Sequence, residues 1–186
     1  MKLKKRLIAM MIIGVIATAL FVSSASADFF NPITVNSNLQ LPVYSAPSTS
    51  SWRGANGKAL CSSNGSILAG GRDGDWVLIM YYLNHGPNEG GARVGYVRYS
   101  ELVGLRDNIE PLKFYYSDAT ISRSCYLTDD PFALETPITR LSQGQRVTYL
   151  LGYKSKNGNI YGYIETTFNG LRVRGFVPYD ALNINK

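Results

Sequence analysis

The chain has 186 residues, 45% of them hydrophobic and 17% charged, the balance of a globular protein rather than a disordered or fibrous one. Its formal charge of +6 belongs mostly to Lys2, Lys4, Lys5 and Arg6 at the very start. Beyond residue 27 acids and bases nearly cancel, which leaves no stripe of cations to track a nucleic-acid backbone.

In chain order, that basic head is followed by an apolar run from Leu7 to Val22 and by Ala25-Ser26-Ala27. Basic head, apolar centre and small-residue exit are the marks of a cleaved secretory leader over residues 1–27. The run is shorter than the roughly 20 residues that a spanning helix needs. The mature chain is therefore expected to be secreted, with no stable membrane insertion.

The first unit, residues 28–104, opens on Phe29-Phe30 and continues through Leu41-Pro42-Val43-Tyr44-Ser45-Ala46-Pro47. The prolines there suit an edge or a loop rather than a central strand. A polar loop from Ser48 to Lys58 carries Trp52, Arg53 and the turn signal Asn56-Gly57. A short strand begins at Ile67-Leu68 and turns at Arg72-Asp73-Gly74-Asp75. Trp76 to Tyr82 is the strongest strand, apolar on both faces. After a loop from Leu83 to Gly91, the return strand is Val94-Gly95-Tyr96-Val97-Arg98-Tyr99.

That return strand is written twice. Eighty positions later the chain reads Arg174-Gly175-Phe176-Val177-Pro178-Tyr179, and a repeat of this kind fixes a domain count. Residues 105–113 are the connection, too short for a free tether, so the units are expected to sit against each other. The second unit, residues 114–186, opens on Phe114-Tyr115-Tyr116. Ser124 to Leu127 is the counterpart of the Leu39–Leu41 region. Strands are expected over Gln145 to Leu151, Ile160 to Phe168 and Leu171 to Val177, with Lys156-Asn157-Gly158 and Asn169-Gly170 as turns. Helical periodicity is missing beyond the leader, so the fold class is all-β, built of small barrels or sandwiches.

Candidate chemistry is sparse. His85 and Cys61 have no third group to orient them as a nucleophilic pair. The Asp73/Asp75 and Asp129/Asp130 pairs read as turn residues, so neither a metal nor a cofactor is expected, and the chain is read as a non-enzyme. Cys61 and Cys125 occupy unmatched places in the two units, and two free, mostly buried thiols are expected rather than a bridge. Trp52 beside Arg53 reads as an exposed recognition pair, able to stack on a sugar or peptide plane while the guanidinium takes a carboxylate; the competing reading folds the indole over the barrel. Trp76 reads as core.

The gathered residues resemble tandem bacterial SH3-like (SH3b) domains. In the first unit the likeness rests on Val43 to Pro47, Trp52 to Lys58, Gly74-Asp75-Trp76 and Val94 to Val97. In the second it rests on Leu127 to Pro131, Tyr161 to Glu165 and Val173 to Pro178, with Tyr161 where a Trp is usual. The resemblance implies two small SH3-like barrels in tandem after the leader. It also implies a non-enzymatic, monomeric binding protein, secreted and associated with the cell wall, whose partner is peptidoglycan or another wall polymer. The alternative partner is an extracellular protein, with no affinity for the wall. The expected contact surface is a groove in the first unit around Trp52, Arg53, Tyr96, Arg98 and Tyr99, with the second unit in support. N-terminal sequencing of the exported protein is expected to begin at Asp28; an intact Met1 would refute the leader.

Overall fold

A computed structural model describes residues 29–33, 40–62, 67–83, 89–102, 109–132, 137–155 and 157–185. The leader, the proposed cleavage site, His85 and residues 105–108 of the connection lie outside them.

Strands dominate, as expected from the sequence. The first half contains β1 (Asn31–Pro32), β2 (Gln40–Pro42), β3 (Leu60–Ser62), β4 (Ile67–Asp73), β5 (Trp76–Tyr82) and β6 (Ala92–Arg98). The second contains β7 (Ser117–Ile121), β8 (Cys125–Thr128), β9 (Pro137–Leu141), β10 (Arg146–Lys154), β11 (Ile160–Phe168), β12 (Leu171–Pro178) and β13 (Leu182–Ile184). One 3-10 turn, Tyr99–Glu101, follows β6, and another, Tyr179–Ala181, follows β12. None of the described helices is long and apolar enough to cross a membrane.

The two halves repeat one strand order. The first runs β1-β4-β5-β6, and a bridge between Tyr44 and Tyr96 carries it on to the β2-β3 pair. The second runs β7-β10-β11-β12-β8-β9, with β13 added beyond β7. A bulge interrupts the ladder between Ala69 and Gly71 in one half and between Tyr149 and Leu151 in the other, eighty residues apart. Both hairpins that close on β6 and β12 are antiparallel throughout. Asn169 and Gly170 turn the second with positive φ of 51° and 76°, the conformation a two-residue hairpin requires.

The described strands form open orders, so the expected barrels are not closed. The physical reason lies at the ends of each order. β1 has two residues, one of them Pro32, and β9 opens on Pro137; a proline has no N–H to give to a closing ladder.

Three apolar cores result. One lies inside the first half, where Val77, Ile79 and Tyr81 of β5 meet Leu41, Val43, Ile67 and Val97. Another lies inside the second, around Ile121, Leu127, Leu141, Ile164 and Val173. The third is shared: Leu78 and Met80 from the opposite face of β5, with Val94 and Tyr96, pack on Leu150, Tyr153, Tyr161, Tyr163 and Phe176. This explains why β5 is apolar on both faces. Each face covers a different core, and the aromatics on the second face come from the other half. Phe30 meets the Tyr153 ring edge-on at 6.0 Å, so the first half's opening aromatics also belong to this junction. Cys61 and Cys125 are free and buried in separate cores, as expected.

The repeated glycine has a steric cause. A Cβ on Gly175 would stand 2.6 Å from the Thr128 carbonyl oxygen and 3.0 Å from Leu127 Cδ1. A Cβ on Gly95 would run into the Val43 side chain and lie 3.0 Å from the Tyr44 oxygen. In each half the strand before the polar loop crosses directly over the glycine of the return strand. Gly175→Ala is expected to destabilise by about 2 kcal/mol, as overpacking does, because backbone has to move. A denaturation midpoint unchanged from the natural protein would contradict that crossing.

Candidate functional site

The segment after β2 sets the site. Ser51 donates its hydroxyl proton to the Ser48 oxygen at 2.8 Å, with the Ala46 oxygen 3.0 Å away, and so folds the Ser-rich stretch into a tight loop. The Ser45 N–H then donates to the Trp52 carbonyl at 3.0 Å, while the Trp52 N–H donates across to Arg172 of the second half at 3.0 Å. Trp52 is thereby tied at both backbone atoms. Its indole meets Phe168 edge-on, with ring centroids 6.1 Å apart. The ring lies against the second half's core, half-buried, and one side of it lines a cleft.

That cleft, about 460 Å³ in volume, runs between the halves. Val43, Tyr44, Leu60, Tyr81 and Leu83 line it from the first half, with Pro137 and Ile138 from the second. Arg93 of β6 and Asp129, just after β8, are its charged residues. Arg93 Nε stands 3.6 Å from Asp129 Oδ1, and Arg93 Nη1 stands 3.5 Å from Asp130 Oδ2. Asp130 also accepts the Phe132 N–H at 2.8 Å, the turn role that the sequence suggested for it.

Burial pushes the Asp129 carboxyl up from its ordinary 3.8 to about 6; Arg93 pulls it down and Asp130 pushes it up. The folded protein therefore holds this proton more tightly than the unfolded chain. The stability from this group is full below pH 3.8 and is lost as the pH rises through about 6. Burial also raises the Tyr81 phenol, which stands near both Asp129 and Arg93.

The five residues expected to form one groove are dispersed. Trp52 reaches the cleft. Arg53 does not serve as the free cation expected beside it: Nε donates to the Val43 oxygen at 3.0 Å and Nη2 to the Ala59 oxygen at 2.6 Å, and the guanidinium lies over the Tyr44 ring. The Ala59 carbonyl also accepts the Val43 N–H at 3.0 Å, so the arginine ties together the two backbone segments that this bond joins. Tyr96 is fully buried, because its position on β6 faces the shared core. Arg98 is exposed over the Trp76 ring, 5.3 Å from its centroid, and Trp76 in turn meets Tyr44 edge-on. Tyr99 is half-buried under Arg72, whose guanidinium carbon is 4.3 Å from the ring centroid. Arg98 and Tyr99 lie outside the cleft lining.

Tyr44, Tyr81, Arg93 and Asp129 were not singled out as site residues in the sequence. Arg93 did carry a signal. It stands on the face of β6 that also holds Gly95 and Val97, and a charge at an inward strand position needs a partner. Asp129 was hidden because an Asp-Asp-Pro run reads as a turn whichever way its first carboxylate points. Among the described residues no three His, Cys, Asp or Glu side chains converge to hold a metal ion. The Cys61 thiol is pushed up to about 12 by burial, the reverse of an activated nucleophile.

No protein-family model matches the chain. No curated protein matches it either. One solved structure, described as the crystal structure of Ly7917, is 14% identical and superposes with a TM-score of 0.25. The match covers 83% of this chain and 66% of that one; at that TM-score it assigns no fold.

Proposed function

We propose that the chain is an exported, non-enzymatic binding protein that recognises peptidoglycan or another cell-wall polymer through the cleft between its halves. The observation that carries the reading is the cleft itself, which Tyr44, Trp52 and Tyr81 line together with the Arg93–Asp129 pair. Aromatic walls with a few placed polar groups are the usual composition of a ligand site. The repeated strand order, the matching bulges and the doubled Gly-aromatic-Val stretch support reading the halves as two SH3-like units in tandem. The leader-like composition of residues 1–27 supports reading the chain as exported.

The test is co-sedimentation with purified sacculi. The natural protein is expected to pellet saturably. Leu60→Ser, which trims an exposed cleft wall (Leu60 is 48% exposed), is expected to weaken binding by about 1 kcal/mol with an unchanged melting temperature. Protein that stays in solution at every sacculus concentration would refute the wall reading and leave an extracellular protein as the partner to seek.

A further inference from the structure

A second depression, about 350 Å³ in volume, lies on the sheet of the second half. Register sets its floor. Asp118 of β7 stands opposite Thr148 of β10, and Thr148 stands opposite Glu165 of β11. Two residues along the same strands come Arg146 and Thr167, with Arg172 of β12 opposite Thr167. Side chains two apart on a strand share a face. These six therefore form two short rows on one surface, and all six line the depression.

The equivalent row of the first half is different. There Leu68, Met80 and Val94 stand opposite one another and pack in the shared core. Eighty residues after Leu68 and Val94 the chain places Thr148 and Arg174, and Glu165 takes the place of Met80 between them. In a common frame, the row has changed from apolar and covered to polar and open. Glu165 is also more than a surface acid. Buried Arg174 holds its Oε2 at 2.6 Å, while the Glu165 side chain stays 22% exposed. The carboxylate is thus fixed in the floor by a partner that is itself immobilised, as a preorganised acceptor has to be.

The lining decides the class of guest. Arg146 and Arg172 bring two positive charges and Asp118 and Glu165 two negative ones, so the floor is neutral in sum and mixed in sign. Among the described residues, the side chains of Arg146 and Asp118 make no hydrogen bond or ion pair. Arg172 makes one long contact, from Nη2 to the Pro47 oxygen at 3.4 Å. A guest of either charge gains at one pair of groups and loses at the other. A guest whose hydroxyls both donate and accept can use all six: the arginines donate, the carboxylates accept, and the threonines do either. Among the described lining residues there is no aromatic ring, and Val147 is the one aliphatic side chain, which disfavours an apolar peptide side chain. We propose that this groove binds a neutral, polyhydroxylated glycan strand, at a site separate from the cleft.

The probe is the neutral N-acetylglucosamine tetramer, titrated to millimolar concentration into the full mature chain. The backbone amide resonances of Thr148 and Thr167 and the indole N–H of Trp52 are followed together. The deacetylated, cationic tetramer and the anionic tetragalacturonate are the charged comparisons. Saturable shifts at Thr148 and Thr167 with an unmoved indole are expected from the neutral tetramer, with weaker binding of both charged ones. Its affinity should not change with salt, since no net charge is screened. Thr167→Val keeps a strand-forming residue at an exposed position and removes one hydroxyl. It is expected to weaken binding about fivefold with an unchanged melting temperature. Arg146→Gln, also at an exposed position, is expected to cost about tenfold. No shift at Thr148 and Thr167, tighter binding of either charged tetramer, or unchanged affinity in both variants would overturn the proposal. Sacculus binding without tetramer binding would sink the groove and leave wall recognition standing. Tetramer binding without any sacculus binding would do the reverse.

Discussion

The structure depends on one buried cation at the junction of its halves. The Arg174 side chain, 2% exposed, donates through Nη1 to Asp73 of the first half at 2.7 Å and through Nε to Glu165 of the second at 2.6 Å. Nη1 also reaches the Tyr96 hydroxyl at 2.7 Å, and the guanidinium lies over the rings of Tyr96 and Phe114. A charge this deep is tolerated only when paired and hydrogen-bonded. Two carboxylates and a phenol from both halves meet that need together. Burial pushes the Tyr96 phenol up to about 12, so it remains a neutral partner. Separating the halves would take Asp73 and Tyr96 away from Arg174 and leave it Glu165 of those three.

Around that cation the halves exchange backbone in a reciprocal way. The Val94 N–H donates to the Asp129 carbonyl at 2.8 Å, and the Arg174 N–H donates to the Ser45 carbonyl at 3.2 Å. Val94 and Arg174 are equivalent positions of the doubled stretch, eighty residues apart, and each reaches the segment that leads out of the other half's crossing strand. The glycine that follows each of them lets that half's own crossing strand lie close. A single construction, used twice, thus accounts for the repeated glycine, the shared aromatic core and the cleft that opens where the crossing segments diverge. The two copies differ in what they place beside the clasp. Asp129 and its neighbour Asp130 meet Arg93, whereas Ser45 is next to Ala46 and anchors Trp52. Functional asymmetry therefore arises inside a nearly symmetric frame.

Much of the frame was legible beforehand. The limits of β5 and β11 follow the alternation of apolar residues, and the Asn169-Gly170 turn is local chemistry that no tertiary contact has to override. The doubled Gly-aromatic-Val stretch revealed the repeat because its cause, a steric crossing, recurs in each half. The site was harder to see. Whether Trp52 faces water or a neighbour depends on Phe168 and Arg172, more than a hundred residues away, and no local pattern encodes that. Arg53 looked like a recognition cation because its acceptors, the carbonyls of Val43 and Ala59, are backbone and carry no sequence signature. Tyr96 was misplaced for a simpler reason: the sequence does not say which face of β6 the second half covers.

The central claim is that the halves form one cooperative structure held at Arg174. Equilibrium unfolding in urea tests it, followed at once by tryptophan fluorescence and by far-ultraviolet circular dichroism. Both tryptophans, Trp52 and Trp76, lie in the first half, while the dichroism reports strands in both. Coincident transitions are expected in the natural protein. In Arg174→Ala both should shift together, with a loss of about 3 kcal/mol, the cost of leaving buried partners unpaired. Transitions that separate in the natural protein, or a loss under about 1 kcal/mol in the variant, would contradict the account.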